Sequence, residues 1–283
     1  MKIAWITDST TILPDTIANH PDLTVVPLQV LRDGESFIDG VDVQAETVYQ
    51  WIEDGHKVTT SQPSIGSFAE AYERLKEEYD LGIAVHLSSE LSGTYNASVQ
   101  GADIAGFRLI AVDSRCGIYP AGQLLAEAVE MGEAGKTPEE IEAHLLARRL
   151  DHHIEFTVGN LDQLQAGGRI SSTKAFVGNM LQLRPLFHFE DGKIVPYQTV
   201  RTTKKAQRTI LDHLIAILEK GEVTDVSLFH AGAYELALEW KKELEGRFDA
   251  TIRIDDLTPV LGSHTGNHSI GMSFLDPTKL RDA

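Results

Sequence analysis

The sequence is poor in the features that fix many function classes by themselves. It has one cysteine, Cys116, in 283 residues, which excludes a disulfide framework and a cysteine-based zinc or iron–sulfur centre. No apolar run approaches the about 18 residues a membrane-spanning helix needs. The N-terminus, Met1-Lys2-Ile3-Ala4-Trp5-Ile6-Thr7-Asp8, passes straight into a polar turn without a secretory apolar region, so a cytoplasmic location is expected. Positive charge is scarce: 25 Lys and Arg stand against 42 Asp and Glu, a net charge of −17. That balance disfavours nucleic acid as a partner. No Gly-x-x-x-x-Gly-Lys-Ser/Thr loop is present, no Gly-x-Gly-x-x-Gly follows the first strand, and Ser92 in Glu-Leu-Ser-Gly-Thr is not a Gly-x-Ser-x-Gly elbow. The familiar signatures for a nucleotide, a dinucleotide and a hydrolase nucleophile are therefore all missing.

What remains is ordinary globular usage, 42% hydrophobic and 24% charged, in a chain long enough for two domains at roughly 150 residues each. The first half alternates strand-length apolar runs, Lys2–Thr7, Leu23–Leu31, Leu81–Leu87 and Phe107–Val112, with helical patterns. The clearest helix is Ser64–Tyr79, where Phe68, Tyr72, Leu75 and Tyr79 share a face and Ser64 can cap the start. Asp33-Gly34 predicts a hairpin added to the same layer. Thr137-Pro138-Glu139-Glu140 has the form of a capping box opening a helix that runs to about Arg149. The expectation is an α/β domain over residues 1–152, a mostly parallel sheet flanked by helices. A C-terminal α+β domain is expected over 153–283, with strands at Ile154–Val158, Lys193–Thr199, Val226–His230 and Thr251–Ile254 and helices at Thr203–Lys220 and Ala233–Arg247.

Ligands of parallel sheets collect beyond the C-terminal ends of the strands, and there the sequence repeatedly places hydroxyls. Asp8-Ser9-Thr10-Thr11 follows the first strand, Thr59-Thr60-Ser61-Gln62-Pro63-Ser64 precedes the Phe68 helix, and Ser88-Ser89-Glu90-Leu91-Ser92-Gly93-Thr94 follows the third strand. Gly262-Ser263-His264-Thr265-Gly266 adds an imidazole in a segment whose glycines argue for a loop. Such clusters cap helices as a matter of course; together they also suit an anionic oxygen group. Gly167-Gly168-Arg169 places a guanidinium just ahead of a Ser/Thr-capped helical pattern that reaches Leu181. Between Gln165 and Arg208 eight basic residues face only Glu190 and Asp191, a local charge of +6. That window is either a solvated basic surface or a docking face for an anionic partner. His264 with His268, and His152 and His153 with Glu155, are spaced as metal ligands could be, but no carboxylate cluster accompanies them. No metal or cofactor is expected. A Ser92–His264–Asp triad, which would make the protein a serine-dependent esterase or thioesterase, is compatible with the spacing and stands as the alternative.

Taken together, Thr7-Asp8-Ser9-Thr10, Thr60-Ser61-Gln62-Pro63-Ser64, Leu91-Ser92-Gly93-Thr94-Tyr95, Gly167-Gly168-Arg169-Ile170-Ser171 and Gly262-Ser263-His264-Thr265-Gly266 resemble the DegV family of bacterial fatty-acid-binding proteins over nearly the whole chain. The resemblance implies a two-domain fold with one long-chain fatty acid buried in it, its carboxylate held between the domains by Thr60 and Ser92, with His264 in the same network. It further implies presentation of that carboxylate to a separate fatty-acid kinase, which makes acyl-phosphate for phospholipid synthesis. Ser9, Thr94, Arg169 and Arg201 become candidate head-group or partner contacts, and an anionic membrane surface a transient partner. Asn267-His268-Ser269 stands where the family commonly has Pro-Gly-Ala, which alters the loop and offers a second imidazole near the head group.

Overall fold

The computed structural model describes residues 1–170 and 183–277. Four parallel strands, β1 (Ile3–Asp8), β2 (Leu23–Val26), β6 (Leu81–His86) and β7 (Leu109–Asp113), form a sheet in the order β2-β1-β6-β7. All six residues of β6 are buried, as a central parallel strand covered on both faces requires. Helices α2 (Ile65–Leu75) and α3 (Thr94–Ala105) pack on one face around Phe68, Tyr72, Ala97 and Ala102. Helices α4 (Ile118–Glu133) and α5 (Pro138–Arg148) cover the other. The capping box forms as the sequence predicts: Glu140 N–H donates to Thr137 Oγ1 at 3.2 Å and Thr137 N–H to the Glu140 carboxylate at 2.8 Å.

The run Leu23–Leu31 is not one strand. Pro27, which has no N–H to give a ladder, separates β2 from β3 (Gln29–Arg32). β3 turns away into a separate antiparallel sheet with β4 (Glu35–Ile38) and β5 (Val58–Ser61), in the order β4-β3-β5. The Asp33-Gly34 hairpin is present, both residues at positive φ of 52° and 95°, but it belongs to this small sheet and not to the parallel layer. Helix α1 (Ala45–Glu53) packs beside β5.

The rest of the chain builds a mixed six-stranded sheet, β10-β9-β8-β13-β11-β12. Its strands are β8 (His152–Thr157), β9 (Arg184–Glu190), β10 (Lys193–Val200), β11 (Asp225–Ala231), β12 (Thr251–Asp256) and β13 (Ser269–Leu275), and only β11–β12 is a parallel pair. α7 (Thr203–Leu218) and α8 (Tyr234–Glu245) seal one face with an apolar cluster that includes Leu214, Trp240 and Phe274. The other face turns Ile154, Phe156, Phe187 and Phe229 toward α4 and the N-terminal layers. Two short helices complete the described chain: α6 (Leu161–Ala166) and α9 (Pro259–Thr265). The second of these replaces the loop expected around His264. Among the described residues no helix is long and apolar enough to cross a membrane.

Candidate functional site

Between the six-stranded sheet and the N-terminal layers lies a cavity with about 790 Å³ of atom-free space, mouth included. Its walls are mostly apolar: Leu28, Ile118, Ile154, Phe156, Phe229 and Leu257 are among them. The polar part of the wall is Thr60, Ser61, Gln62, Ser92, Arg169, His264 and Thr265. Four of the residues singled out in the sequence, Thr60, Ser92, Arg169 and His264, thus come from four separate elements to one cavity.

Thr60 reaches it from β5, whose backbone is fixed by antiparallel pairing of Thr60 with Val30. His264 reaches it from α9, and His264 Nε2 lies 2.7 Å from Thr60 Oγ1. Burial, with the positive charge of Arg169 adding to it, lowers the imidazole from its ordinary 6.5 to about 4. His264 is therefore neutral at physiological pH. Ser92 Oγ and Thr94 Oγ1 are 2.8 Å apart at the start of α3, so Thr94 stands behind Ser92 and outside the cavity wall. The side-chain amide of Gln62 lies against Gly93, where a Cβ would have to push it aside. Gly167 lies against the His264 imidazole, where a Cβ would strike the ring that is bonded to Thr60.

Arg169 donates from Nε to the Leu91 carbonyl at 3.2 Å and from NH1 to the Gly167 carbonyl at 2.5 Å. It staples the Leu91–Ser92 turn to the end of α6, and among the described residues no carboxylate pairs with it. The Ser/Thr-capped helix expected after it, Ser171 to Leu181, lies outside the described residues, as does Lys174 of the basic window. Ser9 is not in the cavity wall. Its hydroxyl donates to Asp39 Oδ2 at 2.5 Å and accepts the Leu28 N–H at 3.0 Å. Arg201 is exposed on the turn between β10 and α7, beside exposed Lys204 and Lys205, and away from the cavity wall.

The histidine pairs resolve differently from their spacing. His264 ends a helix, whereas His268 follows Gly266 at a positive φ of 68° and lines a separate surface hollow with Glu46 and Asp256. The second imidazole expected near the head group is therefore not at this cavity. His153 and Glu155 share one face of β8 and bond at 3.0 Å, while His152 points the opposite way to the Arg149 carbonyl. The Glu155 carboxylate also accepts from His213 at 3.0 Å and from the Tyr197 hydroxyl at 2.8 Å. Burial opposes its charge, but these donors prevail and lower its carboxyl from 4.5 to about 2. Among the described residues no group of three ligating side chains could hold a metal ion.

Nor is a Ser92–His264–Asp triad assembled. His264 Nε2 is engaged by Thr60, Ser92 by Thr94, and no described carboxylate orients the imidazole. An Asp–His–Ser alignment does occur elsewhere, from Asp8 through His86 (3.1 Å) to Ser98 (2.8 Å) and on to Tyr72 (2.5 Å). Every one of these side chains is sealed from solvent, so no substrate can reach it. Its effect is structural. Asp8 also accepts the Leu87 N–H at 3.0 Å, which fixes the start of the segment that carries Ser92.

These features define a class: an α/β protein enclosing an apolar cavity whose polar wall is made of hydroxyls and a neutral imidazole. The chain belongs to the DegV family, described as a family of uncharacterised proteins, whose match spans residues 2–276. It is 35% identical to a DegV domain-containing protein of Listeria innocua, covering 96% of this chain and 98% of that one. In structure it is similar to a DegV family protein from Thermus thermophilus described for its fatty acid binding, with a TM-score of 0.87 and 30% identity over 98% of this chain and 100% of the other. DegV of Bacillus subtilis, a fatty acid binding protein, gives the same TM-score and identity over 96% and 98%. A stearic acid-binding protein from Eubacterium ventriosum gives 0.83 at 26% identity over 96% and 97%.

Proposed function

We propose that the protein binds one long-chain fatty acid in this cavity, with the acyl tail against the apolar wall and the carboxylate at Thr60, Ser92 and His264. The observation that carries the reading is the Thr60–His264 pair, 2.7 Å apart at the polar wall of an otherwise apolar cavity. It is supported by the fatty acid binding of the structural relatives. About 14 buried methylenes at roughly 0.8 kcal/mol each supply on the order of 11 kcal/mol before ordering costs. The head group then needs orientation more than affinity. If a neutral His264 donates from Nε2 to Thr60 Oγ1, the threonine O–H is free to donate to a carboxylate oxygen. Hydroxyl donors satisfy the anion yet leave it open to a phosphoryl donor, where a bidentate guanidinium clamp would occupy both oxygens.

The chain's role in this reading is to carry and present. The acyl carboxylate is offered to a separate fatty-acid kinase in the cytoplasm, which forms acyl-phosphate for phospholipid synthesis, and the protein itself performs no chemistry. The head group sits between domains 1–152 and 153–283 with Arg169 beside it, exposed Arg201, Lys204 and Lys205 face the kinase, and an anionic membrane surface is met only in passing. The test is extraction of denatured, purified protein followed by mass spectrometry. A stoichiometric fatty acid is expected, and an empty extract together with no uptake of added oleate would refute the proposal.

A further inference from the structure

We propose that Asp39 is a positioning residue that sets α9 against β5 and so holds His264 in register with Thr60. The proposal rests on the binding site proposed above but concerns its assembly. α9 has seven residues, too few to persist without support. Thr258 at its N-cap makes no side-chain cap, and Pro259 at its first position has no N–H. The first available donor, Val260 N–H, goes to Asp39 Oδ1 at 2.9 Å, across 221 residues of chain. A carboxylate at that end also complements the helix dipole.

Asp39 is itself 3% exposed and doubly tied to the N-terminal part of the molecule. Its N–H donates to the Leu28 carbonyl at 3.0 Å, and its Oδ2 accepts from Ser9. Leu28 leads into β3, which pairs with β5 so that Val30 faces Thr60. Asp39 thus links, by its backbone to Leu28 and by its side chain to Ser9 and Val260, the sheet that carries Thr60 to the helix that carries His264. His264 lies four positions beyond Val260, about 6 Å of helix rise. A displacement of α9 by about 1 Å is enough to lengthen a 2.7 Å contact beyond hydrogen-bonding range. Burial raises the Asp39 carboxyl above its ordinary range against the pull of Ser9 and Val260, so the group is retained at a cost.

The experiment is an NMR titration of His264 in ligand-free Asp39→Ala and Asp39→Asn, beside the oleate affinity of each. In the Ala variant the imidazole should titrate upward from about 4 toward 6.5, and oleate should bind about tenfold more weakly, the loss of one hydrogen bond to a charged group. The Asn variant keeps an acceptor for Val260 N–H and should bind oleate as wild type does, with an imidazole that titrates no higher than in wild type. Loss of the Asp39 charge alone would move the titration down, so the direction separates displacement from charge. An Ala variant that titrates as wild type and binds oleate within about twofold would overturn the assignment. Because the titration needs no lipid, it stands even if the cavity takes another ligand. If the Ala variant does not fold, amide exchange in the wild type decides: protection of Val260 N–H well beyond that of Leu261 is expected, and equal exchange overturns the proposal.

Discussion

Replacing Thr60 with valine keeps the shape of the side chain and removes only the hydroxyl, which isolates the head-group interaction from the packing of the tail. Two consequences follow from the 2.7 Å contact with His264. In the free protein the imidazole Nε2 loses its partner inside a largely buried wall, which costs about 1–3 kcal/mol of stability. In the complex the carboxylate loses one donor, and a hydrogen bond to a charged group contributes about 1.5–3 kcal/mol, or roughly 10- to 150-fold in affinity. The on the order of 11 kcal/mol from the tail is untouched, so the variant still binds lipid. The assay is displacement of a fluorescent fatty acid by oleate and, separately, by oleyl alcohol. Wild type should prefer the acid, and Thr60→Val should lose most of that preference while its affinity for the alcohol stays within about threefold. Equal weakening toward both ligands, or none toward oleate, refutes the head-group role of Thr60.

Other expectations concern pH and docking. His264 takes up a proton only near 4 in the folded protein and near 6.5 when unfolded. Its contribution to stability is therefore full above 6.5 and is lost as pH falls to 4, by at most about 3 kcal/mol; thermal unfolding against pH should show this slope, and His264→Gln should flatten it. Glu155 is the opposite kind of group, with a carboxyl lowered from 4.5 to about 2 by His153, His213 and Tyr197 despite its burial. Its contribution is present above 4.5 and disappears as pH falls toward 2, again by at most about 3 kcal/mol, and Glu155→Gln should remove that acid dependence in urea unfolding at stepped pH. Reversing the charges of Arg201, Lys204 and Lys205, all exposed, should lower kinase-coupled acyl-phosphate formation without changing oleate affinity. Normal turnover by the triple variant would end the docking role of that face.

The parts of the fold that announce themselves in sequence are those with strong local signals. β1 and β6 are continuous apolar runs because both faces are covered, and α2 and α5 carry their own caps at Ser64 and Thr137. The signal fails where pairing depends on distant chain. β5 has a single buried residue, Val58, and exists as a strand because β3 supplies its hydrogen bonds. β13 has a glycine at its third position, Gly271, packed against Phe156 and Phe229, which hides an otherwise continuous strand. α9 was concealed in the same way by Gly262, whose missing side chain lets the helix lie on Tyr49.

The site shows a similar split. Hydroxyl-rich segments around Thr60 and Ser92, and the imidazole of His264, are visible as candidates one by one. Their meeting is not, since Thr60 and His264 are 204 residues apart and nothing local encodes the contact. The basic window around Arg169 gave no hint that its guanidinium is spent on two backbone carbonyls. Asp39 had no sequence signal at all: an aspartate beside a turn glycine is ordinary, and only the fold brings it to Val260 N–H. Ser9, prominent in a motif, proves to face Asp39 instead of the cavity.

A crystal structure of the protein saturated with oleate tests the central claim most directly. The account predicts continuous acyl density between Phe156, Phe229 and Ile118, ending in a carboxylate within hydrogen-bonding distance of the Thr60 and Ser92 hydroxyls. A filled cavity with no lipid, or an acyl chain lying reversed with its carboxylate away from Thr60 and His264, would contradict it.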